Sequence, residues 1–166
     1  DGAVLYNSSA ACAYCTDPQY DNQSGCEQFG DSGNATWNID TSLDQNSCTE
    51  LSGNWLDGAI GGFEFKVDGI NLNGTSAASG GDAGDAAFTM STNPASGMVL
   101  GFSLTNATFG PGCGTMVELD IASGVPTEIY DIVISNSVGG QVPFQYVEPP
   151  LISGCQLPPY NLYAAG

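Results

Sequence analysis

The chain has 166 residues, enough for one domain with an elaboration and a sizeable apolar core. It carries a single Lys or Arg against 18 Asp and Glu, has no His, and so bears a formal net charge of −17. Phosphate contacts need Lys and Arg, which excludes nucleic acid as a partner and makes an anionic membrane surface unfavourable.

Residues 1–9 contain a short β-prone run, Ala3, Val4, Leu5 and Tyr6. Residues 10–58 are rich in Asn, Asp, Ser, Gly and Gln, hold four of the six cysteines and show no sustained apolar period. Such a segment cannot build a core of its own and reads as a loop-rich insert stapled by disulfides, with Phe29, Trp37 and Trp55 packing it onto the rest. At residue 63 the pattern sharpens. Phe63, Phe65 and Val67 alternate with Glu64, Lys66 and Asp68 between Gly61-Gly62 and Gly69, so one face of a strand is apolar and the other charged. Residues 87–92 form a second strand with Phe88 and Met90 on one face. In the third, Leu100, Phe102 and Leu104 alternate with small polar residues and point inward. Val117, Leu119 and Ile121 mark a fourth, and residues 129–135 a fifth, with Tyr130, Ile132 and Ile134 inward. Val142, Phe144 and Tyr146 mark a sixth, which Pro143 places at an edge or a bulge. Turn signals between short strands and the near absence of helical patterning predict an all-β antiparallel sandwich over 59–147. The tail, 148–166, with Pro149-Pro150 and Pro158-Pro159, is expected to run extended over that domain.

The cysteines are Cys12, Cys15, Cys26, Cys48, Cys113 and Cys155. Of the 15 connectivities open to six cysteines, the reading adopted keeps the first four among themselves and joins Cys113 to Cys155. Sequons stand at Asn7, Asn22, Asn34, Asn73 and Asn106. Disulfides with covalent glycans imply an extracellular or cell-surface setting, and a chain beginning at Asp1 without a signal peptide reads as an exported, mature product. No stretch has the apolar length of a membrane span.

Without His, neither Ser-His-Asp nor Cys-His catalysis is available. Glu64, Glu118, Asp120 and Glu128 are carboxylates of the type that hydrolyse glycosides, but their alternation places most of them on solvent faces, so no catalytic residue is assigned. Cys12-Ala13-Tyr14-Cys15 has the spacing of a zinc or redox pair yet lacks His ligands and a thioredoxin-type setting. No metal site is assigned either; structural calcium is the cation that Asp17, Asp21 and Asp31, or Asp82 and Asp85, could take. Tyr14, Tyr20, Trp37 and Trp55 are candidates for a sugar platform, or for a miniature core of the insert.

Residues 62–69, 78–84, 99–105 and 112–119 together resemble a secreted cohesin-like, Ig-like β-sandwich module of microbial surface proteins. The resemblance spans about half the chain and concerns structural motifs, so it speaks to fold more than to function. In such modules an apolar strand precedes the Gly-Phe-x-Phe strand by a short loop; here residues 51–60 make a poor strand, and the best candidate is Ala3–Tyr6, displaced by the insert. A sandwich short of one strand is completed by an extended segment from its own chain or from a neighbour. The second route resembles donor-strand exchange in pilus subunits and implies a helical filament of identical subunits. Residues Ala3, Val4, Leu5 and Tyr6 are then the donor strand. The acceptor core is Phe63, Phe65, Val67, Leu100, Phe102, Leu104, Val117, Leu119, Ile132 and Ile134. The alternative is a monomeric extracellular module that binds carbohydrate or protein.

Overall fold

The computed structural model describes residues 1–148 and 154–166. In chain order its elements begin with β1 Gly2–Ser8, β2 Ala11–Cys15, α1 Gln23–Phe29, β3 Trp37–Asp40, α2 Gln45–Glu50, β4 Asn54–Leu56 and β5 Gly62–Leu72. They continue with β6 Ala78–Ser79, α3 Gly81–Asp85, β7 Thr89–Asn93, β8 Met98–Phe102, β9 Gly112–Leu119, β10 Ile121–Ser135, β11 Gln141–Val142, β12 Gln145–Tyr146 and β13 Asn161–Ala165. The fold is all-β, and the chain divides into two compact units, one of Asp1–Ser8 with Ala59–Gly166 and one of Ser9–Gly58.

The larger unit is sandwich-like, with two five-stranded sheets ordered β12-β13-β1-β9-β6 and β11-β10-β5-β8-β7. Alternation on β5 buries Phe63, Phe65 and Val67 and leaves Glu64 and Asp68 exposed. Val117 and Leu119 from β9 and Ile134 from β10 join the core. Rings from both sheets meet at Phe109, which lies edge-on to Tyr6 at 5.4 Å and to Phe63 at 6.4 Å between centroids. Such edge contacts add to the area these aromatics bury.

The third strand has the expected period but the opposite phase. Its register sets Val99 against Phe65 and Gly101 against Phe63, while Leu100 pairs with Glu64 and Phe102 with Gly62. Leu100 and Phe102 therefore lie on the outer face, and Leu104, past the strand end, is 80% exposed. The physical reason is the Phe63 ring, which occupies the space that a Cβ on Gly101 would need; a glycine here is the inward-facing residue. Gly101→Ala overpacks this contact and is expected to cost about 1 to 3 kcal/mol, seen as a lower urea midpoint with an unchanged slope.

On β10 the phase slips as well. A register shift between Tyr130 and Val133, with Asp131 at φ +50, exchanges faces along the strand. Ile129 and Ile134 are buried, Ile132 is only half-buried, and Tyr130 faces solvent. A bulge adds a residue that no alternation rule anticipates. Pro143 falls where the chain leaves β11, at the edge of one sheet, for β12, at the edge of the other.

Residues 149–153 of the tail lie outside the described part, but its end corrects the expectation of a surface-draped segment. β13 pairs with β1 over five residues and buries Leu162 and Ala164.

The smaller unit also differs from a bare loop. Its three-stranded sheet runs β3-β2-β4, and Asn22 and Asp44 cap α1 and α2 by accepting from the amides of Gly25 and Ser47. The bond from the Ser47 amide holds the Asp44 carboxyl below its usual range. Cys12–Cys48 fastens α2 to β2, and Cys15–Cys26 fastens α1. Cys15, Cys26 and Ala35 form a small core covered by Tyr20 and Trp37. Phe29 does not pack: it is 60% exposed, on the last turn of a seven-residue helix.

Candidate functional site

The N-terminal strand and its seat form the site. β1 is central in its sheet, antiparallel to β9 along seven pairs from Gly2↔Leu119 to Ser8↔Gly112 and to β13 along five from Ala3↔Ala165 to Asn7↔Asn161. Val4 and Tyr6 point into the core at 0% and 1% exposure, and Leu5 is buried on the opposite face. Leu5 also follows the register shift between Val4 and Leu5.

Tyr6 is the anchor. Its hydroxyl donates to Asp82 Oδ2 at 2.6 Å from the N-terminal turn of α3. Burial, then the hydrogen bond and charge of Asp82, push the phenol far above its ordinary pKa of 10.0. In the unfolded chain the phenol ionises near that ordinary value, whereas in the fold it keeps its proton. Its contribution to stability is thus complete below about pH 10 and lost as pH rises beyond it. Tyr6→Phe is expected to remove this alkaline limb from a melting-temperature profile and to cost about 1.5 to 3 kcal/mol at neutral pH, because it deletes a bond to a charged group.

The other end of β1 is strapped. Cys113 stands opposite Asn7 on β9 and is bonded to Cys155. The chain beyond Cys155 crosses β1, where Asn7 Nδ2 donates to the Leu157 carbonyl at 2.6 Å and the Tyr160 amide donates to the Asn7 carbonyl at 2.8 Å. Tyr160, buried at φ +61, makes the turn from this crossing into β13 with its ring edge-on to Phe144 at 5.5 Å. A bulky residue rarely adopts that conformation, and the bond to Asn7 helps to hold it.

Of the predicted acceptor residues, Phe63, Phe65, Val67, Val117, Leu119 and Ile134 are buried in the core, Ile132 is half-buried, and Leu100, Phe102 and Leu104 lie outside the core. Asp82, Phe109, Leu157 and β13 complete the seat and were missed by sequence reasoning. The alternation of Leu162 and Ala164 with Asn161, Tyr163 and Ala165 was the available signal, obscured by the two preceding prolines.

Among the sequons, Asn22, Asn34, Asn73 and Asn106 are exposed, and Asn7 is half-buried with its amide engaged. Asn106 sits in a turn at φ +57, and Asn73 Nδ2 donates to Asp120. Glu64, Glu118, Asp120 and Glu128 are all exposed. Asp17 accepts from the amides of Gln19 and Asp31, and among the described residues no three His, Cys, Asp or Glu side chains converge as a metal site would need. Residues paired across an antiparallel ladder share a face. Trp37 pairs with Cys15 and Trp55 with Cys12, so the two tryptophans lie on opposite faces of their sheet and form no common platform. Among the described residues no helix is long and apolar enough to cross a membrane. No family model, curated protein or solved structure matches the chain.

Proposed function

We propose that the chain is a structural subunit of an extracellular, glycosylated fibril, built as an Ig-like or cohesin-like sandwich that polymerises by seating β1 in a neighbour. The observation that carries this reading is the place of β1: it is a central strand with Val4 and Tyr6 completely buried, yet both strands it pairs with lie more than a hundred residues along the chain. No tight hairpin ties β1 to its seat, and the chain leaves it directly into a unit with its own sheet, disulfides and core. A strand so placed can be supplied by any copy. When a neighbour supplies it, the contact is head-to-tail and extends into a filament. The three disulfides agree with assembly in an oxidising environment. Glycans would ride on Asn22, Asn34, Asn73 and Asn106. Asn7, whose amide is spent on Leu157, would stay bare when β1 is seated.

A second reading keeps β1 in its own chain and makes the protein a monomeric binding module; the bonds from Asn7 and Tyr160 that strap β1 favour it. Negative-stain electron microscopy with size exclusion of native, unheated material separates the two. The exchange reading expects uniform filaments that resist mild denaturant, because a strand buried in a neighbour's core leaves slowly. A monodisperse species near the 17.0 kDa chain mass plus glycan would overturn it.

A further inference from the structure

The outer face of the β5 sheet carries apolar side chains that alternation would have sent to solvent as polar ones. Phe102 is 37% and Val133 52% exposed, and with Leu100 they surround Glu64 over a shallow cavity of about 240 Å³ whose floor is Gly62 and Gly101. Two rows cross this face. In one, Glu64 lies between Leu100 and Val133; in the next, Lys66 lies between Met98 and Tyr130. Lys66 is the single Lys or Arg of the chain. Its ammonium donates to Asp131 Oδ2 at 2.8 Å and sits 5.7 Å from the Tyr130 ring centroid. An ammonium has three donors, so the bond to Asp131 does not exhaust it.

We infer that this face docks a second copy of the chain through a two-fold contact in which Lys66 of each copy meets Glu64 of the other. The charge pattern selects that occupant. A two-fold axis lying between the facing sheets, perpendicular to β5 and passing over Phe65, reverses the strand and superposes the Glu64 row on the Lys66 row of the partner. Each apolar flank then meets an apolar flank, and Lys66 of each copy, with its own Asp131 beside it, meets Glu64 of the other. Such a self-complementary patch is what an isologous interface requires. It lies on the face away from the core and does not depend on which copy supplies β1, so it would join single chains as dimers and filaments side by side.

Charge reversal tests the contact. By sedimentation equilibrium, Glu64→Lys and Lys66→Glu are each expected to weaken the dimer on the order of tenfold or more, since each sets like charges against one another. Glu64→Lys lowers the net negative charge, so overall repulsion alone would change association in the opposite direction. The double variant E64K/K66E restores the pairing with the partners exchanged and should recover most of the lost affinity. Zero-length carbodiimide coupling of mixed light and heavy isotope-labelled chains gives a second reading, applicable also to filaments: a Lys66–Glu64 link between chains is expected. Coupling only within a chain, to Asp131, overturns the proposal. So does a loss on Glu64→Lys without any on Lys66→Glu, which would show that Lys66 takes no part in the contact.

Discussion

Deleting residues 1–8 is expected to abolish cooperative unfolding of the larger unit, and a synthetic peptide of those residues is expected to restore it in trans. Burying Val4, Leu5 and Tyr6 contributes about 1.5 to 3 kcal/mol each, a sum comparable with the entire stability of a small domain, about 5 to 15 kcal/mol. The loss is larger than for an edge strand because β9 and β13 would both face a gap and the hydroxyl partner of Asp82 would vanish. A peptide carrying Tyr6→Ala should fail to rescue. The readouts are a thermal melt by circular dichroism and negative-stain images of the deleted chain. A wild-type melting midpoint after deletion would mean that β1 is not integral to the core. Filaments persisting without it would overturn strand exchange as the mode of assembly.

The second large effect concerns the smaller unit. Replacing Cys12, Cys15, Cys26 and Cys48 by Ser is expected to unfold it while leaving the larger unit intact. The loops closed by its disulfides span separations of 36 and 11 residues, and loop-closure entropy makes each bridge worth about 3 to 4 kcal/mol. A unit of this size with so few buried apolar groups cannot supply that stability by other means. Both tryptophans of the chain, Trp37 and Trp55, lie within it, so tryptophan emission reports this unit alone. A red shift to the fully solvated position is expected, with the strand signal of the larger unit retained by circular dichroism. Unchanged emission would show that the sheet β3-β2-β4 holds without its bridges.

How far the sequence could lead is visible in particular residues. Phe63, Phe65 and Val67 alternate between glycines, and the strand they specify was found in phase because each apolar side chain is large and each neighbour charged. In β8 the same rule reads Leu100, Phe102 and Leu104 as inward, because it weighs side chains one strand at a time. What reverses the phase is the Phe63 ring on the neighbouring strand, which needs Gly101 beside it. The slip in β10 has a similar origin, an unpaired residue at the bulge. For the seat of β1, sequence alone singled out Ala3–Tyr6 as apolar and displaced from its partners, and found residues of the core. It could not reach Asp82, Leu157 or β13, since those contacts join positions separated by 76, 150 and about 158 residues.

What the amino-acid sequence determined by itself is the all-β class, the lack of any His, the strongly acidic charge, and the division between a cysteine-bearing insert and an alternating, strand-rich body. All of these follow from composition and from periods read along the chain. Tertiary structure alone decided which faces β8 and β10 turn inward, which cysteines of the insert pair, and that the last strand lies beside the first. Those outcomes depend on side chains from distant segments competing for the same space, and only the folded chain brings them together.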